Sequence, residues 1–357
     1  MARSTISGAG SSGGMAITAP TAAIFGCRGA GLVAEERRFF ADLRPVGLIL
    51  FARNCREPEQ VRDLVAAFRD AVGRTDAPVL IDQEGGRVQR LTPPHWRAAP
   101  AAAEFASMAR RDLESAVEAV QLNARLIAAE LADLGITVNC APVLDVPQPD
   151  AHPIIGDRAF GSDAKLVTTL GSAACEGFLA HGVLPVIKHI PGHGRARVDS
   201  HQALPRVAAA EKTLAAIDFA PFRALRNMPW AMTAHVVYEA LDRDRPATTS
   251  ARVIAGAIRG VIGFDGVLVS DDIGMKALTG AFEERAASAV AAGCDVVLHC
   301  SGAMDEMRSV AAGAGRLRAD SRARLERADA MRRKPGHWDR DAAIARLDEI
   351  MAASAIA

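Results

Sequence analysis

Side chains that could do acid–base or covalent chemistry stand at the ends of apolar runs in this sequence of 357 residues. A charged side chain is seldom buried beside an apolar strand unless it is paired or acts on a ligand. Five run ends that carry such groups therefore favour one functional pocket over unrelated ion pairs or helix caps. The residues at these ends are Asp82 and Glu84, Asp145, Lys188 and His189, His235, and Asp271 and Asp272.

A long polar segment after one of these runs adds an acid–base pair. Residues 189–205 read HIPGHGRARVDSHQALP, with three histidines, two glycines and the triplet Asp199-Ser200-His201. Loops of this composition are typical of lids and catalytic loops. Because Asp199 and His201 are two residues apart, the carboxylate can orient and charge-stabilise the imidazole. Such a pair is suited to general acid–base work near neutral pH.

The elements that must position these groups are eight short apolar runs with helical segments between them. A polar residue at the carboxyl end of a strand lies at the active-site face if the strands form a barrel. The runs span 21–27, 46–52, 78–84, 136–145, 183–189, 229–235, 264–272 and 294–300, and the predicted helices span 58–72, 102–134, 163–181, 211–227, 250–260, 283–292, 303–333 and 341–354.

This alternation predicts an α/β protein built as a single (β/α)₈ TIM barrel over residues 15–357. A doubly wound sheet is the alternative architecture, but the GxG at residues 29–31 lacks the third glycine of a dinucleotide-binding turn. The first 14 residues, MARSTISGAGSSGG, are rich in Ser and Gly. We interpret residues 1–14 as a disordered leader or an added segment and leave them out of the fold.

Composition excludes several classes of protein. Lys plus Arg and Asp plus Glu both number 42, and a formal net charge of zero argues against nucleic acid as a partner. No apolar run reaches the roughly 18 residues of a membrane span, and no secretory signal is present, so we expect a soluble, cytoplasmic protein. The six cysteines form no CxxC pair, which disfavours a zinc site or a disulfide framework.

Five motifs in order along the chain resemble those of a known family. They are IDQEGGRVQR (81–90), GDRAF (156–160), VIKHIPGHG (186–194), DSH (199–201) and VSDDIGM (269–275). Together they resemble the bacterial β-N-acetylglucosaminidases of glycoside hydrolase family 3. The single-barrel length is similar to the Gram-negative cytoplasmic branch, which implies removal of N-acetylglucosamine (GlcNAc) from GlcNAc-anhydro-MurNAc peptides during peptidoglycan recycling.

The resemblance also implies roles for individual residues. Asp271 matches the nucleophile that forms a glycosyl-enzyme intermediate, and His201 matches the acid/base with Asp199 as its partner. The residues that match those holding the sugar hydroxyls are Asp82, Arg90, Arg158, Lys188 and His189. Two departures are mild: Ile273 stands where relatives often have Leu, and residues 195–201 read RARVDSH.

Several alternatives stay open at the level of sequence. A phosphorylase is one, because a histidine acid/base would not repel phosphate. A metal-dependent barrel hydrolase and a non-catalytic sugar-binding barrel are others, and the resemblance rather than the spacing disfavours substrate-assisted catalysis. Asp272 is expected to cap a turn, although it could exchange roles with Asp271, and His235 could be a core histidine or a ligand. We expect no metal or cofactor and a monomer with a small-molecule substrate.

Overall fold

A closed barrel of parallel strands forms the centre of the protein in the computed structural model, which describes residues 19–333, 336 and 338–356. The predicted leader at 1–14 lies outside the described residues. The ten strands of the described part are β1 Thr21–Phe25, β2 Pro45–Leu50, β3 Val79–Ile81, β4 Val138–Asn139, β5 Leu184–Ile190, β6 Arg206–Val207, β7 Trp230–Thr233, β8 Val237–Tyr238, β9 Val267–Asp272 and β10 Val296–His299.

The predicted (β/α)₈ barrel is confirmed by the strand order β1-β10-β9-β7-β5-β4-β3-β2, which closes because β1 pairs with both β2 and β10. Each of the eight predicted runs overlaps one barrel strand. The short strands β6 and β8 pair with each other outside the barrel. Within the described residues, no helix is both long and apolar enough to cross a membrane.

Helices connect successive barrel strands and cover the outside of the barrel. The helices are α1 Ala34–Leu43, α2 Pro58–Val72, α3 Ala102–Ala109, α4 Leu113–Asp133, α5 Ala164–Ala180, α6 Glu211–Thr213, α7 Ala220–Ala224, α8 Phe282–Ala292, α9 Met304–Ala314, α10 Ala319–Asp329 and α11 Arg340–Ile356. Single 3₁₀ turns span Ala52–Asn54, Gly156–Arg158 and Ala247–Thr249, and π-helical segments span Leu214–Asp218 and Val253–Ile262.

Two segments that were each predicted as one helix contain two helices in the structure. The segment 102–134 is divided into α3 and α4, because the Asp112 carboxylate accepts hydrogen bonds from the N–H groups of Glu114 and Ser115 at 3.1 Å and starts a new helix. The segment 303–333 is divided at Gly315, whose φ of 64° ends α9. Helix α2 was predicted with its observed bounds, and Gly73 ends it with a φ of 63°.

Alternate residues of each strand contribute to two separate cores. In β1, Ala22 and Ile24 point into the barrel, where they belong to a cluster that includes residues of the other barrel strands. Ala23 and Phe25 point outward and pack in the layer between strands and helices. This period-2 alternation with apolar residues on both faces is typical of parallel strands covered by helices. The filled interior makes the barrel a rigid support for side chains at its rim.

Helices α8 and α9 pack at a glycine, which gives a first testable prediction. A Cβ at Gly313 would lie only 2.0 Å from the backbone oxygen of Glu283. We expect Gly313→Ala to lower the free energy of unfolding by about 1–3 kcal/mol, because a backbone atom of α8 would have to move. The change in melting temperature would measure it.

Gly256 provides the matched control, since it also lies in a helical segment but is exposed and has no atom within 4 Å of its Cβ position. We expect Gly256→Ala to leave stability unchanged or to raise it by up to about 1 kcal/mol. Equal melting temperatures for the two variants would contradict the prediction that close helix packing requires Gly313.

Candidate active site

The residues singled out in the sequence meet at the carboxyl-terminal end of the barrel, around a cavity of about 300 Å³. Its lining includes residues of strands β5 and β9, residues of the segments that follow β3 and β4, and residues of the segment 191–205, here called the catalytic loop. Predicted residues that line it are Asp82, Arg90, Arg158, Lys188, His189, His201 and Asp271. Asp199, the remaining predicted residue, lies behind His201 and contacts its ring.

One wall of the cavity is a row of alternating charges. Lys188 Nζ lies 2.9 Å from an Asp82 oxygen and 2.7 Å from a Glu84 oxygen. Arg158 binds Glu84 with two hydrogen bonds of 2.9 and 2.8 Å, and Arg90 lies 3.3 Å from the second Asp82 oxygen. Paired, two-pronged arginine–carboxylate contacts fix both side chains in direction. The row therefore presents oriented donors and acceptors to the cavity.

The pairing in this row keeps its members charged despite burial. Burial alone would raise the pKa of Glu84, but Lys188 and Arg158 outweigh it and hold that pKa well below its usual value. Burial alone would lower the pKa of Lys188, but Asp82 and Glu84 raise it instead. Both groups thus carry full charges at neutral pH, and Lys188, which lines the cavity, can make a charge-assisted hydrogen bond to a ligand.

Asp145 organises the next part of the wall from a fully buried position. Its Oδ2 accepts from His189 Nδ1 at 2.7 Å, and its Oδ1 accepts from the backbone N–H of His193 at 2.6 Å. Burial raises the pKa of Asp145, but the two histidines and their hydrogen bonds outweigh this effect and hold the pKa below its usual value. The ionised carboxylate therefore fixes the His189 ring, with Nε2 left as the nitrogen for a ligand.

Asp271 lies at the end of β9 with its side chain on the cavity. One carboxylate oxygen, Oδ1, accepts from the N–H of Asp272 at 2.8 Å. Burial raises the pKa of Asp271, but His189, His235 and this N–H outweigh it and hold the pKa below its usual value. The carboxylate is therefore an anion fixed on a rigid strand, as a nucleophile requires.

Asp272 has the capping role that the sequence predicted. Its Oδ1 accepts from the N–H of Gly274 at 2.9 Å and from the N–H of Cys300 at 3.3 Å, which ties the turn after β9 to the end of β10. His299 lies 3.6 Å from the same oxygen. Asp272 therefore supports the position of Asp271 from behind.

His235 is a structural histidine. It is fully buried, its Nε2 lies 3.0 Å from the backbone oxygen of Asp272, and its Nδ1 lies 2.7 Å from the Thr248 hydroxyl. Both ring nitrogens are thus occupied by protein groups. Of the two interpretations that the sequence left open, the structure favours the core histidine.

Asp199 and His201, the predicted acid–base pair, lie on the catalytic loop. Asp199 Oδ1 lies 2.8 Å from His201 Nδ1 and also accepts from the His201 N–H at 2.8 Å. The Asp199 side chain is 12% exposed and the His201 side chain 59%. Burial raises the pKa of Asp199, but its hydrogen bonds to the His201 backbone and ring lower it overall. Because Asp199 holds Nδ1, Nε2 is the ring nitrogen left for a ligand.

Behind the catalytic loop, Asp218 is almost fully buried and pairs with Arg195 of the loop at 2.7 Å. In the described part of the chain its Oδ1 has no hydrogen-bond partner. Burial raises the pKa of Asp218 to about 6 even though Arg195 opposes this shift. The native state thus binds a proton there at a higher pH than the unfolded chain does.

This raised pKa predicts a pH dependence of stability. The contribution of Asp218 is fully present below its unfolded pKa of roughly 4 and is lost as the pH rises through about 6. We expect the unfolding free energy of the wild type, relative to Asp218→Asn, to fall by roughly 2–3 kcal/mol as the pH rises from 4 or below to well above 6. Urea unfolding from pH 4 to 7.5 measures this difference.

Asp150→Asn is the matched control, because Asp150 also pairs with a loop arginine, Arg197, but both side chains are more than two-thirds exposed. Its unfolding free energy should run parallel to that of the wild type at every pH. If the Asp218→Asn curve also runs parallel to the wild type, Asp218 does not titrate as stated.

Sequence reasoning missed Phe51, which follows β2 and lines the cavity. The guanidinium groups of Arg53 and Arg90 lie 4.9 and 5.3 Å from the centre of its ring. Glu84 and Asp145 were noted as polar strand ends, but not as the groups that fix Lys188 and His189. Phe51 had no such signal, because an apolar residue after an apolar strand is unexceptional.

The arrangement can place an anion on one side of a ligand and a proton donor on another, with charged hydrogen-bond partners between them. Such a set suits the cleavage of a glycosidic bond through a covalent intermediate. Among the described residues, no three His, Cys, Asp or Glu side chains are grouped as a metal ion would require. The metal-dependent alternative therefore finds no ligand set in this part of the chain.

Comparison with known proteins points the same way. A family model described as the glycosyl hydrolase family 3 N terminal domain matches residues 29–328. The beta-hexosaminidase of Alkalilimnicola ehrlichii is 40% identical over 282 residues, which cover 78% of this chain and 80% of that protein. The beta-hexosaminidase of Pseudomonas aeruginosa is 37% identical over 302 residues, which cover 84% and 88%.

Solved structures resemble the whole described barrel. NagZ from Neisseria gonorrhoeae, in complex with N-trifluoroacetyl-D-glucosamine, has a TM-score of 0.84 at 31% identity and covers 94% of this chain and 99% of its own. A family 3 β-N-acetylglucosaminidase from Paenibacillus sp. has a TM-score of 0.75 at 33% identity and covers 94% of this chain. That protein is longer, and the match spans 62% of it.

Proposed function

Because the chain belongs to glycosyl hydrolase family 3, we propose that this glycoside hydrolase is a retaining exo-β-N-acetylglucosaminidase. It removes terminal, non-reducing GlcNAc residues. The observation that carries the proposal is that the fixed carboxylate of Asp271 and the paired His201 border one cavity. The bound glucosamine derivative in the Neisseria structure supports an amino sugar as ligand.

In the first step, the Asp271 carboxylate attacks the anomeric carbon while the bond from that carbon to the leaving oxygen breaks. The hydrogen bond from Asp272 occupies Oδ1, which leaves Oδ2 as the attacking atom. Protonated His201 donates its Nε2 proton to the leaving oxygen, and Asp199 stabilises the imidazolium until then. The products are the free aglycone alcohol and a glycosyl ester of Asp271.

In the second step, His201 acts in reverse. Its neutral Nε2 takes a proton from water as the water oxygen attacks the anomeric carbon, and the ester bond to Asp271 breaks. Two inversions give net retention, and both side chains return to their starting states. The aglycone must leave before water enters, so the location of His201 on a loop suits the exchange.

The charged wall would hold the sugar during both steps. Asp82 and Arg90 lie toward its exposed side, while Lys188, Arg158 and His189 lie deeper. Hydroxyl groups accept from the cations and donate to the carboxylates, and each such charge-assisted bond depends on hydroxyl position. These five residues are the proposed sugar-binding set.

The proposed natural substrate is a GlcNAc-anhydro-MurNAc peptide from peptidoglycan recycling, handled in the cytoplasm by a monomeric enzyme. Its support is the family membership and the similarity to proteins named beta-hexosaminidase and NagZ. The cavity of about 300 Å³ is of a size for one sugar ring, which favours cleavage from a chain end.

The test is to incubate the purified protein with 4-nitrophenyl N-acetyl-β-glucosaminide, with and without phosphate, and to identify the sugar product. We expect free GlcNAc at the same rate under both conditions. GlcNAc-1-phosphate as the product would replace the hydrolase by a phosphorylase with the same nucleophile. An enzyme that releases no nitrophenol would contradict both.

A further inference from the structure

The two ends of the catalytic loop are firmly attached to the barrel. The Tyr238 hydroxyl donates to the backbone oxygen of Gly192 at 2.7 Å, and Arg195 pairs with buried Asp218. The backbone of residues 194–196 also accepts hydrogen bonds from residues 148 and 152. At the other end, the Val237 N–H donates to the oxygen of Pro205 at 2.9 Å. The segment 197–204 between these attachments, here called the loop tip, contains Asp199 and His201.

The loop tip has few attachments of its own. Arg197 pairs with Asp150, but both side chains are more than two-thirds exposed, so this pair holds the tip weakly. The apolar side chain of Val198 is exposed. Ser200 is the exception: it is 4% exposed, the one buried residue of the tip. Its hydroxyl lies 3.1 Å from His193 Nε2.

That hydroxyl is the tip's single buried polar link to the attached first part of the catalytic loop. Across residues 197–204, all of which the structure describes, the side-chain hydrogen bonds to the rest of the protein are those of Arg197 and Ser200. The other hydrogen bonds of these residues lie within the tip, such as those from Asp199 to His201. The orientation of the acid–base pair thus depends on the residue between its members.

His193 gives Ser200 a rigid partner. It is buried, and its backbone N–H donates to Asp145, the same carboxylate that holds the His189 ring. Burial lowers the pKa of His193 to about 4, against the opposing charge of Asp145, so its ring is neutral at neutral pH. A neutral ring makes an ordinary hydrogen bond with a hydroxyl. Such a bond is strong enough to favour the observed position of the tip and weak enough to break in each turnover.

We propose that Ser200 is a positioning residue, whose hydrogen bond to His193 latches the loop tip over the cavity and so brings His201 to the leaving group. This inference rests on the proposed function, since it concerns the proton donor of that reaction. Release of the latch lets the tip move away with the acid–base pair, while Asp271 and the sugar-binding wall stay in place.

The test compares Ser200→Ala with the wild type on two aryl β-GlcNAc substrates, one with the activated 4-nitrophenol leaving group and one with the poor leaving group phenol. The readout is kcat/KM, which reports cleavage of the glycosidic bond. We expect Ser200→Ala to lower it about 3- to 10-fold for the phenyl glycoside and less than 2-fold for the nitrophenyl glycoside. The amides of the tip should exchange hydrogen faster, with an unchanged melting temperature.

Arg197→Ala is the matched control, because it removes the tip's other side-chain link, which is exposed. It should keep wild-type kcat/KM on both substrates. An equal loss on both substrates with Ser200→Ala, no loss at all, or the same loss with Arg197→Ala would overturn the latch. A wild-type protein that cleaves neither glycoside would instead contradict the proposed function.

Discussion

Asp271→Asn is expected to lower kcat/KM for every aryl β-GlcNAc glycoside by about 10⁴-fold or more, because no covalent intermediate can form. The asparagine oxygen can still accept the N–H of Asp272, so the turn and the fold should remain. An unchanged circular dichroism spectrum and melting temperature would check the fold. Azide added to Asp271→Ala should yield the α-glycosyl azide, since a small anion then attacks in place of the carboxylate.

Asp272→Asn is the matched control at the neighbouring position. Its carboxylate accepts hydrogen bonds from the backbone of Gly274 and Cys300, and an asparagine oxygen can keep the shorter of them. We expect kcat/KM to fall less than about 10-fold, because Asp271 is then supported less firmly. A severe loss in this variant together with an active Asp271→Asn would mean that the two aspartates exchange roles.

His201→Ala is expected to lower kcat/KM much more for substrates with a poor leaving group than for those with an activated one. For phenyl β-GlcNAc, kcat/KM should fall by about 10²–10⁴-fold, because the leaving oxygen must depart without a proton. For the 4-nitrophenyl glycoside the loss in kcat/KM should be far smaller, since nitrophenolate leaves unaided. If both substrates lose equally, His201 is not the acid.

Asp199→Asn removes the negative charge of the acid–base pair and retains a hydrogen-bond acceptor near His201. The asparagine oxygen can still lie near His201 Nδ1, which now lies 2.8 Å from the carboxylate, but it cannot stabilise an imidazolium. We expect a loss in kcat/KM between those of the wild type and His201→Ala, again larger for the poor leaving group. A loss equal on both leaving groups would show that Asp199 only maintains the loop.

The strands could be predicted because each is a short apolar run that is buried on both faces. Helix α1 was missed for an equally physical reason. Charged residues fill its first turns, and Phe39 and Phe40 are adjacent rather than spaced at helical intervals. The helix is stabilised by burial of both rings and by Glu36, whose carboxylate accepts from the N–H groups of Arg28 and Val33. Contacts of that kind leave no periodic pattern.

The site was located from the sequence better than it was explained. Polar groups at strand ends predict that Asp82, Lys188 and Asp271 lie near each other, because parallel strands in a barrel end at one face. All three line one cavity in the structure. Their charges are set by partners far along the chain. Glu84 binds Arg158, which lies 74 positions later in the sequence, and Asp145 binds His189, which lies 44 positions later. No local pattern encodes such pairs. The roles that the family resemblance implies for single residues stay predictions.

Closure of the barrel also sets an order of events during synthesis of the protein. Ala23 of β1 pairs with Val297 of β10, 274 positions later. At roughly 5–20 residues per second, β1 leaves the ribosome about 14–55 s before its second neighbour exists. Until then one edge of β1 exposes unpaired backbone groups that invite pairing with other chains. Asp271, on the strand between β7 and β10, therefore reaches its final position only after nearly the whole chain has been translated.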